Sequence, residues 1–163
     1  MRKIPKEIVN FFHQQKFIIV STFDSQGYIH CSAKGLVNIH PEGKLYIIDL
    51  YKRNTFSNLK KNSRISVTAI DEKKFMGYNL KGEGRIVKKE SIEEVLIKKW
   101  EEKVIQRISK RVIRNIRKDK GSKIHPEALF PHPEYLIEMT VRQIIDLAPS
   151  HLKLREKTSP DTK

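Results

Sequence analysis

The sequence predicts a mainly β, α+β protein: a small antiparallel barrel with peripheral helices, one of them long and basic. Three observations carry that expectation. Six short runs rich in β-branched and aromatic residues recur along the chain. Two of their joins are tight turns ending in Gly, which tie consecutive strands antiparallel. A single long stretch, about 91–120, changes to the helical period. With 163 residues the chain has the size of one domain with a sizeable core.

The elements follow in order. Residues 5–15 read as a short helix, with Pro5 at the first helical position and Ile8, Phe11 and Phe12 on one face. Strands are expected at 17–23, 28–38 and 44–50. Asp24-Ser-Gln-Gly27 and His40-Pro-Glu-Gly43 are the turns between them. Residues 54–61 read as a second helix with Asn54 as its N-cap. Strands at 64–70 and 74–87 come next, the latter holding Gly77, Gly82 and Gly84, which suggest a bulge or bend of the kind barrel closure needs.

Ser91-Ile-Glu-Glu94 has the capping-box pattern. Trp100, Val104, Ile108, Val112 and Ile116 then recur every four residues, widened by Ile105 and Ile113, up to a C-capping Gly121. A proline-rich loop leads to a last strand at 135–141, which 144–147 could continue. Residues 1–154 are expected to form one domain and 155–163 a flexible tail.

The 33 Lys and Arg against 19 Asp and Glu leave a net charge of +14, a surface that attracts anions. No apolar run approaches the ~20 residues of a membrane span. The basic start of the chain has no apolar segment behind it, so it does not read as a secretory signal. The single cysteine, Cys31, excludes an intramolecular disulfide, suits a cytoplasmic setting and reads as a small core residue. The six histidines form no i,i+4 pair or Cys/His cluster, so no metal site is expected.

Two stretches could carry chemistry. Lys52, Arg53, Asn54 and Thr55 join a strand end to a helix start. Two cations, a hydroxyl and the free N–H groups of a helix N-terminus make a phosphate cradle. The same text also reads as a solvated basic turn. Ser32, Ala33, Lys34 and Gly35 lie within the second strand, where alternation sets Ser32, Lys34 and Leu36 on one face and Ala33, Gly35 and Val37 on the other. If the Lys34 head is buried it must pair or reach an anion, and Gly35 would let a flat ligand approach the backbone. The alternative is a lysine on a solvent face.

Together these stretches resemble the flavin-binding split barrel of the pyridoxamine 5′-phosphate oxidase-like family. The ordered text that carries the resemblance is Phe17-Ile-Ile-Val-Ser-Thr-Phe, Asp24-Ser-Gln-Gly, Cys31-Ser-Ala-Lys-Gly, Leu45-Tyr-Ile-Ile-Asp, Lys52-Arg-Asn-Thr, Asn58-Leu-Lys-Lys-Asn62 and Arg64-Ile-Ser-Val-Thr. It implies a six-stranded antiparallel split β-barrel and an FMN-binding oxidoreductase acting on a small molecule. The implied FMN phosphate lies on Lys52, Arg53, Asn54 and Thr55. The ring lies along Ser32, Ala33, Lys34 and Gly35, with Lys34 as the cation for the reduced pyrimidine edge. The resemblance also implies a homodimer with flavin between subunits. Relatives on this fold bind F420 or haem instead. Ile48 and Asn54 stand where the oxidases carry a Thr and a second cation, and the chain end lacks their substrate-binding Arg and His. These departures tell against pyridoxamine-phosphate oxidation itself, the substrate stays unidentified, and no catalytic residue is assigned.

Two features remain. His30 could serve as a proton donor or haem ligand, or be an ordinary half-buried strand histidine. Residues 98–120 carry ten Lys and Arg against three acids. That face is expected to be a solvated exterior, with nucleic-acid binding through helix 91–120 as the alternative.

Overall fold

The computed structural model describes residues 1–88, 94–99, 101, 102, 104, 105 and 135–150. The elements are α1 (Lys6–Gln14), β1 (Ile18–Phe23), β2 (Ile29–His40), β3 (Lys44–Ile48), α2 (Asn54–Lys61), β4 (Arg64–Asp71), β5 (Met76–Lys88) and β6 (Tyr135–Asp146). The strands close into a barrel in the order β1-β2-β3-β6-β5-β4, every pairing antiparallel, and β4 returns to β1. Closure pairs both edges of the sheet and removes the unsatisfied backbone groups an open edge would leave.

Both hairpin turns form at the expected glycines, with φ of 86° at Gly27 and 99° at Gly43. In the first, the Asp24 carboxylate accepts from the backbone N–H of Gln26 and Tyr28, each at 2.9 Å. The register between β5 and β6 shifts between Lys81 and Gly82, but the extra residue is Arg142 on β6 and not a residue of β5; Gly82 lies where a Cβ would collide with the Thr140 carbonyl. The last strand runs unbroken through 144–146.

The barrel interior is filled by alternate residues of all six strands, among them Val20, Leu45, Ile47, Val67, Leu80, Ile137, Met139 and Val141, each fully buried. The two helices close opposite ends. α1 turns Ile8, Val9, Phe11 and Phe12 inward, and the Phe11 ring meets Tyr78 of β5 edge-on at 5.1 Å. Burying a side chain the size of Phe12 contributes about 1.5–3 kcal/mol. α2 covers the other end, where Asn58 Nδ2 donates to Thr22 Oγ1 across 3.0 Å.

Outside the barrel, Leu96, Ile97 and Val104 pack on Val37, Ile48 and Leu136. These belong to the long helix expected after β5, and residues 94–99, 101, 102, 104 and 105 are helical. Ile105, expected to widen the apolar stripe, is 62% exposed. The buried row runs through 97 and 104, and Ile105 lies a further ~100° round the helix. The expected cap at Ser91, the helix beyond 105, Gly121 and the 155–163 tail lie outside the described residues.

Three corrections concern single residues. Pro5 is the cap of α1 and Lys6 its first helical residue. Arg53, and not Asn54, caps α2, with no side-chain cap bond. The Arg53 N–H donates to the Tyr51 carbonyl at 2.7 Å, and the helix starts one residue earlier than an Asn54 cap would place it, with Asn54 inside it. Cys31 is exposed. It pairs across the sheet with Ser21, on the face of β2 turned away from the core.

One ion network ties three strands together on the outer wall. Arg85 of β5 donates through Nε and Nη2 to the two oxygens of Glu138 on β6, at 2.9 and 3.0 Å, and Lys44 of β3 stands 3.5 Å away. The Arg85 hydrogen bonds, and then its charge, hold the Glu138 carboxyl below its ordinary range despite burial. A carboxyl whose folded value is depressed stabilises the fold above its unfolded value, and that contribution is lost as pH falls through the folded one. Glu138→Gln should therefore destabilise the protein by about 1–3 kcal/mol at pH 7 in urea unfolding. The gap to the parent should narrow as pH falls from about 5, and a gap independent of pH would contradict the account. Gly43→Ala should cost at least about 1–2 kcal/mol in the same assay, because the left-handed turn disfavours a Cβ and that Cβ would strike the Arg2 carbonyl.

Candidate functional site

The two stretches singled out in the sequence, 32–35 and 52–55, meet in the fold. Ser32 Oγ and Thr55 Oγ1 share a hydrogen bond of 3.1 Å, joining the middle of β2 to the first turn of α2. Thr55 is buried, while Lys52, Arg53 and Asn54 are exposed. The Arg53 guanidinium lies over the Tyr51 ring, 5.4 Å from its centre. The start of α2 carries no acidic residue and no side-chain cap. Its first N–H groups therefore lack intrahelical acceptors and lie at the positive end of the helix dipole.

Strand alternation divides the four β2 residues. Lys34 pairs across the sheet with Ile18 and Ser32 with Val20, both core residues, so Lys34 and Ser32 face inward. His30 shares that face opposite Thr22 and is half-buried. Ala33 pairs with Ile19, and Gly35 pairs with Ile48 of the outer cluster. These two face outward, along with Cys31.

The Lys34 ammonium is not left to solvent. Its Nζ donates to Asp49 Oδ1 at 2.6 Å, with the two side chains 15% and 1% exposed. Asp49 stands just past the end of β3 and collects two further donors. Tyr135 Oη donates to Oδ2 at 2.5 Å and the Tyr51 N–H to Oδ1 at 3.4 Å. Burial pushes the Tyr135 phenol well above its ordinary range, reinforced by the hydrogen bond to Asp49, so it remains a neutral donor. The Tyr135 ring also meets Phe56 of α2 edge-on at 4.9 Å. The result is a buried polar chain that runs from β2 through the end of β3 to β6, under the first turn of α2.

Asp49 and Tyr135 were not among the residues proposed from the sequence. The signal for Asp49 was a carboxylate ending the otherwise apolar run Leu45-Tyr-Ile-Ile-Asp49. Tyr135 lies 86 residues from its partner and had no local signal.

Residues 4–132 match the family model of pyridoxamine 5′-phosphate oxidase. The chain belongs to that family. None of the curated proteins matches it. Among solved structures, HupZ from Group A Streptococcus is 16% identical with a TM-score of 0.64, over 88% of this chain and 94% of that one. A Clostridium acetobutylicum protein of the pyridoxinephosphate oxidase family, related to general stress protein 26 of B. subtilis, is 17% identical with a TM-score of 0.57, over 91% and 99%. An F420 reductase is 15% identical with a TM-score of 0.55, over 87% and 98%. At these identities the likeness is one of fold.

Two grooves lie elsewhere on the described surface. One of about 600 Å³ lies between the end of α1 and the β4–β5 turn. The other, about 490 Å³, lies on the outer wall of β1, β4 and β5, with Arg64, Lys81 and Asn79 beside Phe23 and Ile29. Among the described residues no helix is long and apolar enough to cross a membrane.

The polar chain makes a stability prediction of its own. Tyr135→Phe keeps the ring on Phe56 and removes the donor to Asp49, leaving a buried carboxylate short of one partner. It should lower stability by about 1–3 kcal/mol in urea unfolding. Loss of less than a few tenths would mean that water replaces the phenol.

Proposed function

We propose that the protein binds FMN at the junction of β2 and α2 and carries out a two-electron redox reaction on a small anionic molecule. The observation that carries this reading is the Ser32–Thr55 hydrogen bond, which sets the ring-side strand against the phosphate-side turn in one chain. The donor set fits the cofactor. A phosphate dianion calls for the Arg53 fork, the Lys52 charge, the Thr55 hydroxyl and the uncapped amides of α2. Asn54 lies in the first turn that presents those amides. Ser32 and Lys34 offer polar groups on one face of β2. Ala33 and Gly35 leave the opposite face low enough for a flat ring.

Bound FMN would supply the electron transfer, and this chain's residues would hold and orient it. The family's implied arrangement, a homodimer with the cofactor between subunits, is part of the proposal. Phe23 and Ile29, 38% and 67% exposed on paired positions of β1 and β2, are a surface a second copy would cover.

Titrating the protein into FMN should quench flavin fluorescence and give saturable binding. Arg53→Ala should weaken it at least tenfold, with a shallower dependence on salt. Absence of binding to the parent protein would overturn the reading. F420, suggested by the reductase of like fold, is the competing occupant, and the mass of a copurified cofactor separates the two.

A further inference from the structure

We infer that the groove on the outer wall of β1, β4 and β5 is a binding site for a small organic carboxylate with a flat apolar body. As a binding site it stands on the groove alone; that its occupant is also the substrate rests on the FMN reading above.

The sheet register builds the site. Ser21 of β1 lies opposite Ser66 of β4, Ser66 opposite Lys81 of β5, and Thr68 opposite Asn79 one row further along. Strand alternation puts Arg64 on the same outward face of β4 as Ser66 and Thr68. These side chains line a cleft of about 490 Å³ together with Phe23 and Ile29. Small-molecule sites have this size and this make-up, apolar walls with a few placed polar groups.

A count of donor hydrogens identifies the polar end. Asn79 Nδ2 donates to Ser66 Oγ at 2.5 Å and to Thr68 Oγ1 at 2.6 Å. The amide and the two hydroxyls hold four donor hydrogens between them, and these two bonds consume two. The other two, on the hydroxyls, have no acceptor among the described residues. Turning the amide over would move the spare hydrogens to Asn79 without changing their number. Two neighbouring donors suit the two oxygens of a carboxylate.

The charges agree with this. Arg64 and Lys81 line the groove, and no Asp or Glu does. Glu83, across from Arg64, is taken by Arg142 at 2.8 Å. An entering anion therefore meets two cations that no described carboxylate neutralises. Phe23 and Ile29 are cross-strand partners, 38% and 67% exposed, and form the apolar end. A bare inorganic anion would leave that end uncovered, so the occupant is an organic acid. Ser21 pairs with Cys31, which shares the outward side of β2 with Ala33, so the groove opens beside the strand face given to the flavin ring. In the homodimer of that reading the second copy would close over the ligand's body at Phe23 and Ile29.

The test titrates 2-naphthoate into the flavin-free full chain and follows naphthyl fluorescence, with 2-naphthalenemethanol as the uncharged probe. Naphthoate should bind saturably, and the alcohol about tenfold more weakly. Lys81→Gln, at an exposed position, should weaken naphthoate about fivefold and leave the alcohol unchanged. Ser66→Ala combined with Thr68→Val should weaken naphthoate about tenfold. Ile29→Ser should weaken both probes, and Phe17→Ser, in the groove at the end of α1, should change neither. No saturable binding, equal affinity for the two probes, or indifference to Lys81→Gln overturns the inference. Should the Ser66 and Thr68 variant fail to fold, Lys81→Gln decides. FMN binding is scored separately. A parent that binds FMN and no naphthoate loses only the groove, whereas one that binds naphthoate and no FMN keeps the groove and loses its role as the substrate's place.

Discussion

A carboxylate that is 1% exposed cannot remain charged inside a protein without partners, and the arrangement of this molecule at one end of its barrel follows from how Asp49 finds them. Its partners come from three parts of the chain: Lys34 on β2, Tyr51 in the turn leading to α2, and Tyr135 at the start of β6. Removing one donor exposes the charge to the others' incomplete compensation, so the three segments are held as a unit. Phe56 then rests on the Tyr135 ring, which fixes the first turn of α2 to the same unit. The position of that turn, and of Lys52 and Arg53 in front of it, is thus set from beneath by electrostatics and packing together.

The barrel supplies the frame for this. Closure by the β1–β4 pairing fixes the distance between strand ends, and α2 spans them through Asn58 to Thr22 and Thr55 to Ser32. Both contacts are side-chain hydrogen bonds from buried helix residues, each contributing on the order of 1 kcal/mol but specific in direction. They orient α2 so that its uncapped start meets the middle of β2. The apolar work is done elsewhere, by the interior cluster and by α1 at the far end. The site end can therefore afford a polar chain that a core position could not.

The outer wall has a different character on its two sides. Where Leu96, Ile97 and Val104 lie, the wall is apolar and covered. Next to that cluster the Glu138 network links β3, β5 and β6 with charge. Around β1 and β2 the wall carries Phe23, Ile29 and Cys31 in the open. A single chain thus presents an unpaired, mixed surface beside the outward face of Ala33 and Gly35. The two faces of β2 consequently serve two environments, one turned to α2 through Ser32 and to Asp49 through Lys34, and one turned to the exterior.

Much of this was legible before any coordinates. The strands, the hairpins at Gly27 and Gly43 and the two short helices are local events, decided by side-chain period and turn chemistry within a few residues. The alternation that separates Ser32 and Lys34 from Ala33 and Gly35 follows from the pleat alone. Which face looks inward does not, because that depends on the strand lying opposite, and so Cys31 was misplaced in the core. The partner of Lys34 was likewise out of reach. The sequence could require that a buried ammonium meet an anion, but Asp49 and Tyr135 become its neighbours only when β2, β3 and β6 are laid side by side. Local chemistry is written along the chain, whereas compensation of a buried charge is a property of groups brought together by closure of the barrel.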